Sequence, residues 1–444
     1  MIVPTPQQLR DRIFKTITTR QAQGHDVTGL LDALDAAGDS YDALVPLAQR
    51  LVDLPMRADW PYVEPSGLEE IRAECDPRRQ DDPIGAIDPA DARGRAETAF
   101  LSSVCGCVLG KPVEAGTTLE ELRGCLEPIG DWPLRDYVRE EALDRLGRRH
   151  ESWTETVRGR IACAAPDDDI SYTLLGMLVL EQRGLEFTTA DVADLWLHNL
   201  PPLWTWGPER MILLRAGAAS NQWCAGDAES WATFLNPGDE FCGAMIRADA
   251  YGYACPGRPA LAAELAWRDA RLSHRRTGIY GAMFAAAAIA AAFVVRDRLE
   301  VFRIALQQVP QRSRFYRIVG DSLAEVARAS DWLDGYGRIH AKYGQYNHCK
   351  VYQETGTLIN TLRFAEDIGD GICKQVSQGN DTDSYGCTAG SILGAYFGPG
   401  HLDARWLAPF GDRIHTSLAC MHEQSLSVLA DRIGNLPGLT LGGA

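Results

Sequence analysis

Two short stretches carry the residue types that hold hard cations. Gly379 to Gly386 reads GNDTDSYG, with Asp381 and Asp383 one residue apart and interleaved with hydroxyls. Carboxylate and hydroxyl oxygens are the donors that Mg²⁺, Mn²⁺ and Ca²⁺ take in preference to nitrogen and sulfur. Two aspartates cannot fill an octahedron. Far upstream, Pro166-Asp167-Asp168-Asp169 repeats the layout of adjacent acids followed by an apolar helical pattern. A site built from both would staple two distant helices together. Aspartates also cap free N–H groups at helix N-termini without any further role. Three in a row exceed that need, because like charges beside a buried helix repel unless protonated or neutralised by a cation.

Helices must position these acids. The upstream cluster opens Ile170 to Arg183, where Leu174, Leu175, Met177, Leu178 and Leu180 make a wide apolar stripe. The downstream one opens Tyr385 to Tyr396, rich in Ala, Gly and Leu. From Ala96 a small-residue helix runs to Gly110-Lys111-Pro112, with Glu114 just beyond. A lone glutamate there is either solvated surface or, at a glycine-rich helix end, a group that reaches a pocket. Further helices are expected over Leu9 to Ala22, Leu30 to Leu54, Leu68 to Glu74, Leu119 to Leu126, Leu134 to Arg149, Leu261 to Leu272, Val351 to Glu366 and Leu426 to Arg432. Ala282 to Val295 is too short for a membrane span and reads as a buried core helix. Gly243 to Arg247 belongs to a loop rich in glycine and aromatic residues with one cation, suited to a phosphorylated ligand. His274 is either a structural hydrogen-bonder or a binding residue. Trp196, Trp204, Trp206 and Trp223 cluster around Pro201-Pro202, as packing or as a surface on which a base could stack.

Period-2 alternation is scarce, and no glycine-rich turn follows a convincing strand, which argues against a dinucleotide-binding α/β fold. The chain of 444 residues is 45% hydrophobic and carries a formal charge of −16, which argues against nucleic acid or an anionic membrane as partner. Twelve cysteines lie scattered without zinc-site spacing, and no signal peptide precedes them. Reduced thiols and a cytoplasmic location are expected. Prolines, glycines and charges from Pro77 to Gly94 mark a boundary, leaving residues 1–94 as an added N-terminal helical segment.

Four stretches match, in order and type, the ADP-ribosylglycohydrolase family, which this chain resembles from about residue 95 to residue 400: GCVLGKPVE, PDDDISYTLLG, the GAMIRADAYG to SHRRTGIYG region, and GNDTDSYGCTAGSILGAYFG. Residues 401–444 are then a tail packing on that catalytic unit. The resemblance implies an all-α, compact, orthogonally packed multi-helix fold with a two-metal cleft, holding two divalent cations, Mg²⁺ or in its place Mn²⁺. Carried over by position, Asp168 and Asp169 bind one ion, Asp381 and Ser384 the other, and Asp383 bridges both. Asp167 stands where the family has Thr or Ser, keeping an oxygen ligand but adding a charge. Glu114 matches the glutamate that closes the family's GDxxGxxxE segment, in which Cys107 replaces the usual aspartate. Glu114, with Asp381 second, is the implied acid/base group, while Gly243, Arg247 and His274 match positions lining the ADP-ribose cleft.

The implied activity is metal-dependent hydrolysis of an N- or O-ribosyl bond in ADP-ribosylated proteins, small ADP-ribosyl compounds or nucleosides. Breaking a bond at C1 of ribose builds oxocarbenium character, which held hydroxyls and a carboxylate-steered water can exploit. A non-catalytic ADP-ribose-binding or structural protein of the same fold is the alternative. Residue types alone do not decide which aglycone is released.

Overall fold

The computed structural model describes residues 4–80, 83–114, 116–218, 231–346 and 348–442. The fold is all-α, and among the described residues the extended pairings are only two or three residues long. Two antiparallel helices form its axis. Pro89–Gly110 starts earlier than its apolar pattern suggests, because Pro89 sits in the first turn and Asp88 accepts from the Ala90 and Asp91 amides. It packs along Thr382–Phe397 at backbone contact. A Cβ on Gly110 would run into the Thr382 carbonyl oxygen, and one on Gly386 into that of Gly106. This approach sets Lys111 and Glu114, at the end of one helix, beside Asp381 and Asp383, at the start of the other.

A second device fixes the same junction. Thr117 and Thr118 pair antiparallel with Asn380 and Gly379, joining the chain just after Glu114 to the start of the downstream acidic stretch. Gly379 adopts φ +82° there, and a Cβ would strike the Thr117 carbonyl oxygen, so the pairing depends on glycine. The Asp168–Arg183 helix brings in the other acids, with Asp167 as N-cap accepting from the Asp169 amide. The alanine-rich run lies in Thr277–Ala292, whose residues are all buried.

Elsewhere tertiary contacts override the helical pattern. The stretch expected as one helix from Leu30 to Leu54 divides into Leu30–Ala36 and Tyr41–Arg50, with Ser40 capping the second by accepting from the Ala43 amide. Of Leu134 to Arg149 only Glu140–Leu146 is helical. Ahead of it Tyr137 donates its hydroxyl to Trp406 and Val138 accepts from the Arg158 amide, so the backbone is committed elsewhere.

The first three helices bury their own apolar cluster, with Ile13, Ile17, Leu34 and Leu44 at its centre. Ionic contacts dock this segment on the main body. Arg20 and Gln23 both bind Asp239, at 2.9 and 2.6 Å, and Glu64 holds Arg314, which also pairs with Glu240. The segment thereby braces the loop that runs into Phe241-Cys242-Gly243. No helix among the described residues is long and apolar enough to cross a membrane.

Candidate active site

A cavity of about 670 Å³ opens where the three helix ends meet. Asp167, Asp168, Asp381, Asp383 and Ser384 line its floor, together with Lys111 and Glu114. Asp169 lies beneath, taking a hydrogen bond from Ser384 Oγ at 3.2 Å. Trp204 and Trp206 stand about half exposed on one wall, while His150, Phe241, Gly243 and the His348-Cys349 pair make up the rest. The two acidic stretches therefore do converge, and Glu114 faces the cavity.

Electrostatics dominate this floor. Six carboxyl groups gather at this floor, and three of them surround the Lys111 ammonium, which pairs with Asp167, with Asp383 Oδ2 at 3.0 Å and with Glu114 Oε2 at 3.4 Å. Burial, then the Asp167 carboxylate, pushes Asp168 and Asp169 well above the usual carboxylate range, and burial, then Asp383, does the same to Asp381. Asp383 behaves oppositely: burial pulls it up, but Lys111 and a hydrogen bond from Glu114 outweigh this and hold it below its ordinary value. Glu114 itself is pushed up to about 10 by burial and by Asp383. It carries its proton at neutral pH in this field.

The donor set fits a divalent cation. It consists of carboxylates and a hydroxyl, and oxygens of Glu114, Asp381 and Asp383 lie within 4.8 Å of one another. Asp169 Oδ1 is buried without a hydrogen-bond partner, which is costly unless a charge faces it. Carboxyls so reluctant to ionise would give up a proton to a metal ion on binding it, which would couple cation uptake to proton release. Cys107, beside Asp167 and Asp169, is held as a neutral thiol by burial and by its contact with Cys387.

Gly243 lines the cavity, but Arg247 and His274 do not reach it. Arg247 is 1% exposed and lies behind the wall, bound to Asp269 and, at 2.7 Å, to Glu209. His274 is fully buried, sharing a hydrogen bond with Ser273, and burial keeps it neutral. Arg247 supports the Gly243 loop by donating to the Gly243 carbonyl at 3.0 Å, and His274 lies 3.7 Å from Glu209. Trp196 is also interior, stacked on Tyr172, whereas Trp223 lies outside the described residues.

Several cleft residues carried no signal in the sequence. Lys111 read only as part of a helix end, although a lysine beside a helix-terminal glutamate in a run of small residues was a visible oddity. Cys349 is the other. A hydrogen bond from Cys242, and the adjacent His348, lower its pKa to about 5. Cys242 in turn approaches Asp381 Oδ2 at 3.4 Å.

An all-helical protein whose helix ends gather hard oxygen donors on the floor of an aromatic-walled cleft is the class that fold and site define. The chain belongs to the ADP-ribosylglycohydrolase family, whose sequence model matches residues 88–439. Membership supports a glycohydrolase-type function and, with it, a role for divalent metal at the acidic cluster. A solved structure described as an "ADP-ribosylglycohydrolase-related protein complex" is similar to this chain at 19% identity, with a TM-score of 0.49, over 78% of this chain and 99% of that one. No curated protein matches.

Proposed function

We propose that this protein hydrolyses the bond at C1 of a ribose in ADP-ribosyl conjugates or related nucleosides. The observation that carries this reading is the meeting of both acidic stretches with Glu114 on the floor of one cavity large enough for a nucleotide. Asp168, Asp381, Asp383 and Ser384 would hold a divalent cation, Mg²⁺ or Mn²⁺. When bound, the cation orients ribose hydroxyls and acidifies a coordinated water.

The chain's own groups divide the remaining work. Glu114 points a protonated carboxyl into the cleft, close to Asp383, where it can give a proton to a leaving group and afterwards take one from water. Asp381, also held above the normal carboxylate range, is the second candidate for that exchange. Trp204 and Trp206 offer exposed ring faces to an adenine. Gly243 lines the opposite wall, where a Cβ would strike the Glu209 carboxylate, so the glycine lets that carboxylate pack against the wall's backbone. Arg247 serves binding at one remove, by fixing that loop through the Gly243 carbonyl.

Incubation with Mg²⁺ and a panel of protein-linked, nucleic-acid-linked and small ADP-ribosyl compounds and nucleosides tests the reading, with chromatographic detection of free ADP-ribose or ribose. Turnover of at least one compound, abolished by EDTA and restored by Mg²⁺, is expected. Tight ADP-ribose binding without turnover over the whole panel would instead support a binding protein. That second reading is favoured by one feature, the lysine among the carboxylates.

A further inference from the structure

We infer that the Lys111 ammonium takes the place of one divalent cation, so that the cleft binds a single metal ion, centred on Asp381, instead of two. The inference rests on the reading of this floor as a cation site, and it concerns the number of ions and the residues free to hold them.

Lys111 is 8% exposed and its side chain ends among three carboxyl groups drawn from three segments: Asp167 before one helix, Asp383 at the start of another, and Glu114 after the third. That is the arrangement of a bridging cation. Removing an ammonium from water costs several kcal/mol and is tolerated only where carboxylates surround it. The donors around it are largely spent. Asp167 accepts the Asp169 amide at Oδ1, 2.9 Å away, and faces Lys111 with Oδ2. Asp383 accepts the Ser384 amide at Oδ1, also at 2.9 Å, and Lys111 at Oδ2. Asp383 also takes a hydrogen bond from Glu114, so both aspartates already carry a donor on each oxygen, with the Lys111 ammonium between them.

The charge that Lys111 leaves uncompensated lies on the far side of Asp383. Asp381 makes no ion pair with Lys111; its close neighbour is the Cys242 thiol at 3.4 Å. Asp168 lines the same cavity. One divalent ion at Asp381, where oxygens of Glu114, Asp381 and Asp383 lie within 4.8 Å of one another, would offset that remainder. A second, between Asp167 and Asp383, would fall on the place the ammonium already occupies, and two cations that close repel strongly in a buried site.

The test counts ions and needs no turnover. Equilibrium dialysis of the full chain against saturating Mn²⁺, read by elemental analysis, should level off at one ion per chain. Lys111→Ala, which removes the ammonium and opens its place, should level off at two, with thermal unfolding confirming that the variant is folded. Two ions on the unsubstituted protein would overturn the inference while leaving the hydrolase reading intact. One ion on both proteins would overturn the claim that Lys111 occupies a cation's place. No ion on either would remove the cation site and the metal-dependent reading with it. Should Lys111→Ala fail to fold, the count on the unsubstituted protein still decides between one ion and two.

Discussion

Asp383→Asn should leave the protein folded and lower kcat by about 10³-fold on whichever conjugate it hydrolyses. The substitution is isosteric, and the Ser384 amide can still donate to the amide oxygen. Lys111 keeps Asp167 and Glu114 as partners, so no buried ammonium is orphaned. What disappears is the charge that faces both Lys111 and the Asp381 side of the floor. Several kcal/mol of stabilisation for a cationic sugar and its bound water depend on that charge, and about 4 kcal/mol corresponds to the loss stated. Steady-state kinetics beside a thermal melt separate the two effects. A variant with kcat unchanged would show that Asp383 has no part in the chemistry.

Arg247→Ala should cost about 3–5 kcal/mol of stability, read as a fall in the urea midpoint. Arg247 neutralises Glu209 and Asp269 in a region closed to solvent, and also donates to Ser273 Oγ at 2.9 Å and to the Gly243 carbonyl at 3.0 Å. Its removal strands two carboxylates in the core and frees the loop that forms one cleft wall. A position chosen from the sequence as a phosphate contact would behave differently: KM would rise and the midpoint would hold. An unchanged midpoint would therefore contradict the supporting role.

These two residues show what the sequence discloses about a site of this kind. Asp383 was legible because its partners in chemistry are local in type and spacing. Two acids one residue apart, opening a small-residue helix, carry their meaning within eight residues, and the upstream acids repeat it. The all-α fold was legible for a similar reason, since helical periodicity is a short-range property. Arg247 lies behind the wall and does not line the cleft, because the groups that claim it, Glu209 and Asp269, are distant in sequence and come together only when the helices pack, while the buried His274 keeps the structural hydrogen bond to Ser273 that was one of its two readings. Lys111 escaped notice on the same ground: its role exists only once the Gly386 and Gly379 contacts bring Asp383 to Gly110 and the Asp168–Arg183 helix brings Asp167. Two-residue pairings such as Thr117–Thr118 with Gly379–Asn380 have no periodic signature at all. The bracing of Asp239 and Glu240 by Arg20, Gln23 and Arg314 gives the N-terminal segment a mechanical connection to the cleft that its own composition does not announce.

The most direct test of the central claim is a crystal structure of the protein with Mn²⁺ and ADP-ribose, using anomalous scattering to locate the metal. The account predicts an anomalous peak against Asp381 and Asp383, the terminal ribose facing it within reach of Glu114, and the adenine towards Trp204 and Trp206. ADP-ribose bound elsewhere, or a cleft that takes the ligand with no metal peak beside the ribose, would contradict it.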